Sequence, residues 1–168
     1  LFQVDGLKII IAPRHPERSK KIQSIYNKSG ISAKLMSDSA YTNGDVLIVN
    51  TFGNLPAYFT ISDIVFLGGS FVSKGGHNPI EPAINNCVIV TGPHVYNWQN
   101  IYEDMIKNNA CFMFNKISIL ENKIKKLFED NNEMDKMKEN SKKITQKNFF
   151  DSDELIYIIK NLIEVVPC

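Results

Sequence analysis

Short apolar runs alternate with longer amphipathic or polar stretches along this chain, and that alternation sets the expected architecture. Leu7 to Ala12 is an apolar run stopped by Pro13, and it leads into Pro16 to Ser29, where Ile22 and Ile25 fall at helical spacing. The pair predicts strand, loop, helix. Ala33 to Met36 is a weaker second strand. Asp45 to Val49 is a clearer third one, followed by the polar turn Asn50-Thr51-Phe52-Gly53 and a short helix over Leu55 to Ser62. Ile64 to Leu67 is apolar on both faces, as a buried parallel strand should be, and it ends in a glycine-rich stretch, Gly68 to Gly76. Pro79 to Asn86 is expected as helix, Val88 to Val90 as strand, Trp98 to Asn108 as helix and Ala110 to Phe114 as the last strand. From Lys116 onward the pattern is helical to the end.

Strands and helices alternating at this spacing predict an α/β fold with a doubly wound, mostly parallel, Rossmann-like sheet of about five or six strands. Ligands of such sheets sit beyond the carboxyl ends of the strands, which is where the unusual loops of this chain fall. The length, 168 residues with 43% hydrophobic content, suits a single domain over 1–168 with a sizeable core. The chain opens without a methionine and enters a strand almost at once, so an N-terminal partner domain is expected to be missing from it.

A formal charge of +1, with 19 basic and 18 acidic residues interspersed, gives no broad positive field, and no nucleic-acid partner is expected. The polar stretch Glu129 to Lys147 is accordingly expected to be a solvated helical pair rather than a nucleic-acid face. Cys87, Cys111 and Cys168 are odd in number and far apart, without a C-x-x-C pair, so reduced thiols are expected and no metal site. No run of apolar residues is long enough for a membrane-spanning helix. Only two of the 19 basic residues are arginine, and both, Arg14 and Arg18, fall within five residues. A forked, planar cation is therefore wanted in that loop, because lysine does not replace it at a bidentate site.

Three loops carry candidate chemistry. In Ala12 to Arg18, a helix start with open backbone N–H groups, the Arg14 fork and the His15 ring together suit phosphate or carboxylate. The same residues also admit a plainer reading, in which the arginines pair with Glu17 or another acid and His15 closes the loop. In Gly68 to Pro82, four glycines in nine residues let the backbone approach a ligand closely, though neither a P-loop nor a G-x-G-x-x-G fingerprint is present. Asn78, Pro79 and Glu81 are spaced as an N-cap, a first helical proline and an approximate capping box, while Glu81 beside a glycine cradle is equally placed to accept the hydroxyls of a ribose. The third loop, Thr91 to Trp98, holds His94 and the single tryptophan, with no metal-ligand spacing.

Taken together, the segments Pro13-Arg14-His15-Pro16-Glu17-Arg18, Asn50 to Leu55, Gly68 to Ala83 and Thr91-Gly92-Pro93-His94 resemble, in order and spacing, the C-terminal donor-binding domains of the 3-deoxy-D-manno-octulosonic acid (Kdo) transferases. The resemblance covers about half of the chain. It departs from the family at Asn50 and Asn54, where acidic residues are usual, and at Phe52, where methionine is common. What it implies is the C-terminal half of a GT-B glycosyltransferase and an inverting, metal-independent transfer of Kdo from CMP-Kdo to a lipid A precursor, with no cofactor. It places Arg14 and His15 at the phosphate or the Kdo carboxylate, and Phe52 with Gly53 near the cytosine. Gly69, Ser70 and Gly76 fall at the phosphate, and Asn78 with Glu81 on the ribose side. The general base, acceptor recognition and membrane association belong, by the same resemblance, to an N-terminal domain. The full-length enzyme is expected at the cytoplasmic face of the bacterial inner membrane, and the piece alone is expected to be inactive. Two other readings share the sheet and glycine loop: a UDP-sugar transferase or epimerase, and a non-catalytic nucleotide- or anion-sensing module.

Overall fold

The computed structural model describes residues 7–38 and 46–146, and the chain divides into two compact units, Leu1–Tyr58 and Phe59–Cys168. Asp45, Cys168 and the expected helix beyond residue 146 lie outside the described residues.

In the first unit, β1 (Ile9–Ile11), β2 (Ala33–Leu35) and β3 (Val46–Ile48) form a parallel sheet in the order β1-β3-β2. The helix α1 (Ser19–Lys28) is the crossover from β1 to β2, and Ile22 and Tyr26 on its inner face pack on Ala33, Leu35, Val46 and Ile48. The expected helix over Pro16 to Ser29 is divided. Pro16–Arg18 is a tighter 3-10 turn in which Arg18 N–H donates to the His15 carbonyl at 3.0 Å, and the α-helix proper begins at Ser19. Ser19, buried, donates its hydroxyl to the Val49 carbonyl at 3.2 Å and so ties the helix start to the end of β3.

The far end of α1 closes on Gly30, whose φ of +76° admits a left-handed turn. Gly30 N–H donates to Asn27 O at 3.1 Å and Ile31 N–H to Tyr26 O at 3.0 Å, the paired bonds that stop a helix and return the chain. Two side chains of α1 then hold the start of β2. The Asn27 Oδ1 accepts from Ala33 N–H at 2.9 Å, and Gln23 Nε2 donates to the Ala33 carbonyl at 3.2 Å.

The division between units falls within α2 (Leu55–Thr60). In the second unit, β4 (Ile64–Leu67), β5 (Val88–Thr91) and β6 (Cys111–Met113) are parallel and lie in chain order. Their connections are α3 (Ile80–Ile84) and α4 (Gln99–Lys107), and α5 (Ile117–Glu129) follows β6. The six strands, expected as one sheet, are thus found hydrogen-bonded as two sheets of three.

The strand β5 is buried at every position, and its alternation distributes the core. Val88 and Val90 enter one cluster with Phe114 and Leu127, whereas Ile89 enters the other with Leu67, Tyr102 and Met105. A further helix covers residues 131–146, begun by Asp130, whose Oδ1 accepts from Asn132 N–H at 3.0 Å and Glu133 N–H at 3.2 Å. Polar as it is in sequence, this helix buries Met134, Met137, Ser141 and Ile144, which recur at helical spacing, and contributes to both clusters. The expectation of a solvated pair missed that stripe, because it holds a single strongly apolar residue, Ile144, beside two Met and a Ser that stand out weakly among many Lys, Glu and Asn.

Candidate functional site

The candidate residues fall into two sets, one in each unit. In the first unit they lie in the loops after β1 and β3. Arg14 is exposed and makes no hydrogen bond or ion pair among the described residues. The plainer reading of that loop, arginines paired with an acid and His15 as a cap, is not what the described residues show. It is His15, and neither arginine, that meets Glu17, with Nδ1 to Oε1 at 3.2 Å in an exposed pair, and His15 does not cap the following turn. An exposed pair of this kind contributes little to stability. All five donors of the Arg14 guanidinium are thus without a protein acceptor among the described residues.

After β3, Phe52 is 80% exposed and Gly53 takes a φ of +100° with nothing within 4 Å of a side chain built there. A large ring is thus left in water beside a glycine. The base of this turn is held by Asn50, whose Oδ1 accepts from Ser37 N–H at 3.1 Å while its Nδ2 donates to Ser37 Oγ at 2.7 Å. The loops after β2 and β3 are thereby tied together.

In the second unit the loops after β4 and β5 form one braced structure. Ser70 is fully buried; its Oγ donates to the Leu67 carbonyl at 2.7 Å and accepts from Gly92 N–H at 2.8 Å, and its carbonyl accepts from His94 N–H at 2.9 Å. Its hydroxyl is engaged in joining the two loops, so what Ser70 offers a ligand is main chain. Gly92 is required at this junction, because a Cβ there would lie 2.6 Å from the Ser70 carbonyl oxygen. Further along, the Tyr96 hydroxyl donates to Ser73 O at 3.0 Å, Asn97 Nδ2 to Lys74 O at 3.1 Å, and Asn97 N–H to Gly75 O at 3.1 Å.

The glycine loop itself turns through left-handed conformations at Gly69, Gly75 and Gly76, with φ of +71°, +82° and +72°. The His77 ring lies over its start, 3.6 Å from where a Gly69 Cβ would stand. The His77 carbonyl accepts from the Tyr102 hydroxyl at 2.8 Å. Tyr102 is wholly buried, and burial pushes its phenol well above the ordinary range, with Thr91 nearby acting in the opposite direction. Asn78 Oδ1 accepts from Ile80 N–H at 2.9 Å across Pro79, an Asx turn leading into α3, whose N-cap position is Pro79. Glu81 is exposed in the first turn of α3, and no bond from its carboxylate back to Asn78 completes a capping box. The expected cap at Asn78 is thus found one residue early, as a turn before Pro79, and the Glu81 carboxylate is left open to solvent.

The chain as a whole is similar to known proteins. No family model matches the chain. It is 34% identical over 157 residues to the 3-deoxy-D-manno-octulosonic acid transferase of Rickettsia typhi and 35% identical over 162 residues to that of Rickettsia bellii, covering 90% and 94% of this chain. The crystal structure of the C-terminal CMP-Kdo binding domain of WaaA from Acinetobacter baumannii matches it with a TM-score of 0.77 at 26% identity, over 83% of this chain and 74% of that one. Over nearly its whole length the chain is thus similar to part of the Kdo transferase family. It spans 34% and 38% of the length of the two Rickettsia relatives, about a third of each.

Within that family the departure at Asn50 has a structural answer. An aspartate there would still accept from Ser37 N–H, and the Ser37 hydroxyl would turn to donate to its second oxygen. Asn50 thus keeps the loop tie without the charge. Sequence reasoning passed over Asn97, Tyr102 and His77. His77 stood inside a matched motif, but Asn97 and Tyr102 read only as part of an amphipathic helix and its approach, and no local pattern announces a hydrogen bond to a residue more than twenty positions earlier.

Proposed function

We propose that this chain supplies the donor-binding part of an inverting, metal-independent glycosyltransferase, which moves Kdo from CMP-Kdo to a lipid A precursor at the cytoplasmic face of the bacterial inner membrane. The observation that carries the reading is the braced glycine loop of the second unit, found in a chain that matches the fold of a CMP-Kdo binding domain. In this reading the main chain of Gly69, Ser70 and Gly76 takes the phosphate, Asn78 and Glu81 take the ribose side, Arg14 and His15 take the phosphate or Kdo carboxylate, and Phe52 with Gly53 takes the cytosine.

The chemistry asks for such groups. Breaking the bond between Kdo and CMP builds negative charge on the departing phosphate while the sugar becomes oxocarbenium-like, and fixed donors at that phosphate lower the barrier. Main-chain N–H groups and a guanidinium do this without a metal ion or cofactor. Deprotonation of the acceptor hydroxyl, acceptor recognition and membrane association are assigned to an N-terminal domain.

The test is a transfer assay with CMP-Kdo and a lipid A precursor, run on a protein that joins this domain to its N-terminal half and on this chain alone, each with and without EDTA. Transfer by the joined protein alone, unaffected by EDTA, is the expected result. Transfer by this chain alone, or transfer abolished by EDTA, would contradict the reading.

A further inference from the structure

The glycine loop is closed in part by its own main chain, Gly76 N–H donating to the Gly69 carbonyl at 3.4 Å and Lys74 N–H to the Val72 carbonyl at 2.6 Å, and further carbonyls of it are gathered by side chains from another part of the second unit. Asn97, in the 3-10 turn Tyr96–Trp98 before α4, donates Nδ2 to the Lys74 carbonyl at 3.1 Å and its own N–H to the Gly75 carbonyl at 3.1 Å. Tyr102, on α4, donates its hydroxyl to the His77 carbonyl at 2.8 Å. In a trans peptide the carbonyl and the next N–H point in opposite directions, and every described peptide here is trans. Drawing the Lys74 and His77 carbonyls toward α4 therefore turns the N–H groups of Gly75 and Asn78 toward the opposite face. The fit is tight at Gly75, where a Cβ would lie 2.3 Å from the Asn97 amide and where φ is +82°.

We propose that Asn97 and Tyr102 are positioning residues, which fix the Gly75 and Asn78 amides as a pair of donors for a phosphate without touching the ligand themselves. Main-chain N–H groups fixed on one face of a turn are donors suited to an anion, and the Gly76 N–H between these two is taken by the Gly69 carbonyl at 3.4 Å. Tyr102 is suited to the task because its ring is anchored in the core against Met105 and Ile89, so its hydroxyl has little freedom to leave His77. The inference rests on reading this loop as the site of the donor's phosphate, and it adds what holds that site in its binding form.

The experiment compares the chain with its Asn97→Asp and Tyr102→Phe variants, using CMP, cytidine and inorganic pyrophosphate as probes and amide NMR as the readout. Asn97→Asp keeps the volume but sets an oxygen against the Lys74 carbonyl, and Tyr102→Phe keeps the buried ring. The wild-type Gly75 and Asn78 amides are expected to shift with pyrophosphate and with CMP. Each variant is expected to bind CMP about three- to tenfold more weakly, the effect of one lost hydrogen bond, while cytidine binding stays unchanged. Equal weakening toward cytidine, or no weakening toward CMP, would overturn the inference, and so would wild-type amides that ignore both phosphate probes. Wild-type shifts with pyrophosphate, abolished in the variants, but no preference for CMP among nucleotides would uphold this inference and reject the donor reading.

Discussion

Gly92→Ala tests the bracing of the second unit most sharply. A methyl carbon there would meet Ser70 O at 2.6 Å, Ser70 C at 2.8 Å and the Phe71 ring at 3.0 Å, and the first two are main-chain atoms that no rotamer change can move. The loops after β4 and β5 must separate by several tenths of an ångström, which stretches Gly92 N–H to Ser70 Oγ (2.8 Å) and His94 N–H to Ser70 O (2.9 Å). Overpacking costs about 1 to 3 kcal/mol, and a buried donor left without its acceptor costs about 1 kcal/mol more. The sum, about 2 to 4 kcal/mol, corresponds to a midpoint lowered by roughly 5 to 15 °C in a chain of this size. Urea and thermal unfolding of the variant beside the wild type measure it. Gly92 is not at a positive φ, so backbone strain does not enter, and a midpoint unchanged within about 0.5 kcal/mol would refute the contact between these loops.

Arg14→Ala removes an exposed side chain without partners among the described residues, so stability is expected to stay within about 0.5 kcal/mol while donor use by a protein carrying both domains falls about ten- to a hundredfold; unchanged kinetics would remove Arg14 from the site. Phe52→Ala, at an 80% exposed ring, is likewise expected to leave unfolding unaltered, and to weaken CMP about tenfold through lost stacking; equal CMP affinity in titration would show that the ring does not meet the base. Alkali should unfold the protein. Burial pushes the Cys87 thiol up to about 11, against an opposing Lys138 and aided by Asp63, and burial pushes Cys111 up to about 12, both from an ordinary value of 9.0. The folded chain thus holds these protons more tightly than the unfolded one, so the stabilisation is complete below pH 9.0 and is lost as pH rises toward 11. The slope reaches at most about 1.4 kcal/mol per pH unit for each thiol. Urea melts that stay level from pH 8 to about 10.5 would contradict the burial of both thiols.

Much of the fold was legible because its strands announce themselves. Ile64 to Leu67 and Val88 to Val90 are apolar at every position and are strands within a residue of the expected bounds; β5 is buried throughout, as a sheet covered on both faces requires, whereas β4, expected to be equally buried, leaves Phe66 48% exposed. Boundaries near proline were less legible. At Pro16 the first turn tightens to 3-10, which sequence does not distinguish from the start of an α-helix. The division of six strands into two sheets also escaped, since pairing partners are set by contacts between distant residues and not by periodicity.

The site was legible where backbone demands a residue type and illegible where side chains act at a distance. Gly69, Gly75 and Gly76 stand at positive φ, a need that a cluster of glycines signals directly. Ser70 drew notice as a polar residue in a glycine loop, yet its hydroxyl faces inward to Leu67 and Gly92. A polar side chain looks the same in sequence whether it meets a ligand or braces a loop. The bond from Tyr102 to His77 spans 25 positions, and the aromatic ring that makes it is indistinguishable in sequence from any core residue of α4.

The measurement that bears most directly on the central claim is a titration of this chain with CMP beside UMP, UDP and AMP, followed by amide NMR. The account predicts saturable binding with CMP preferred, and shifts at Gly53 and Arg14 in the first unit and at Gly69 and Glu81 in the second. No saturable binding of any nucleotide up to about 10 mM, weaker than roughly −3 kcal/mol, or a clear preference for UDP, would contradict it.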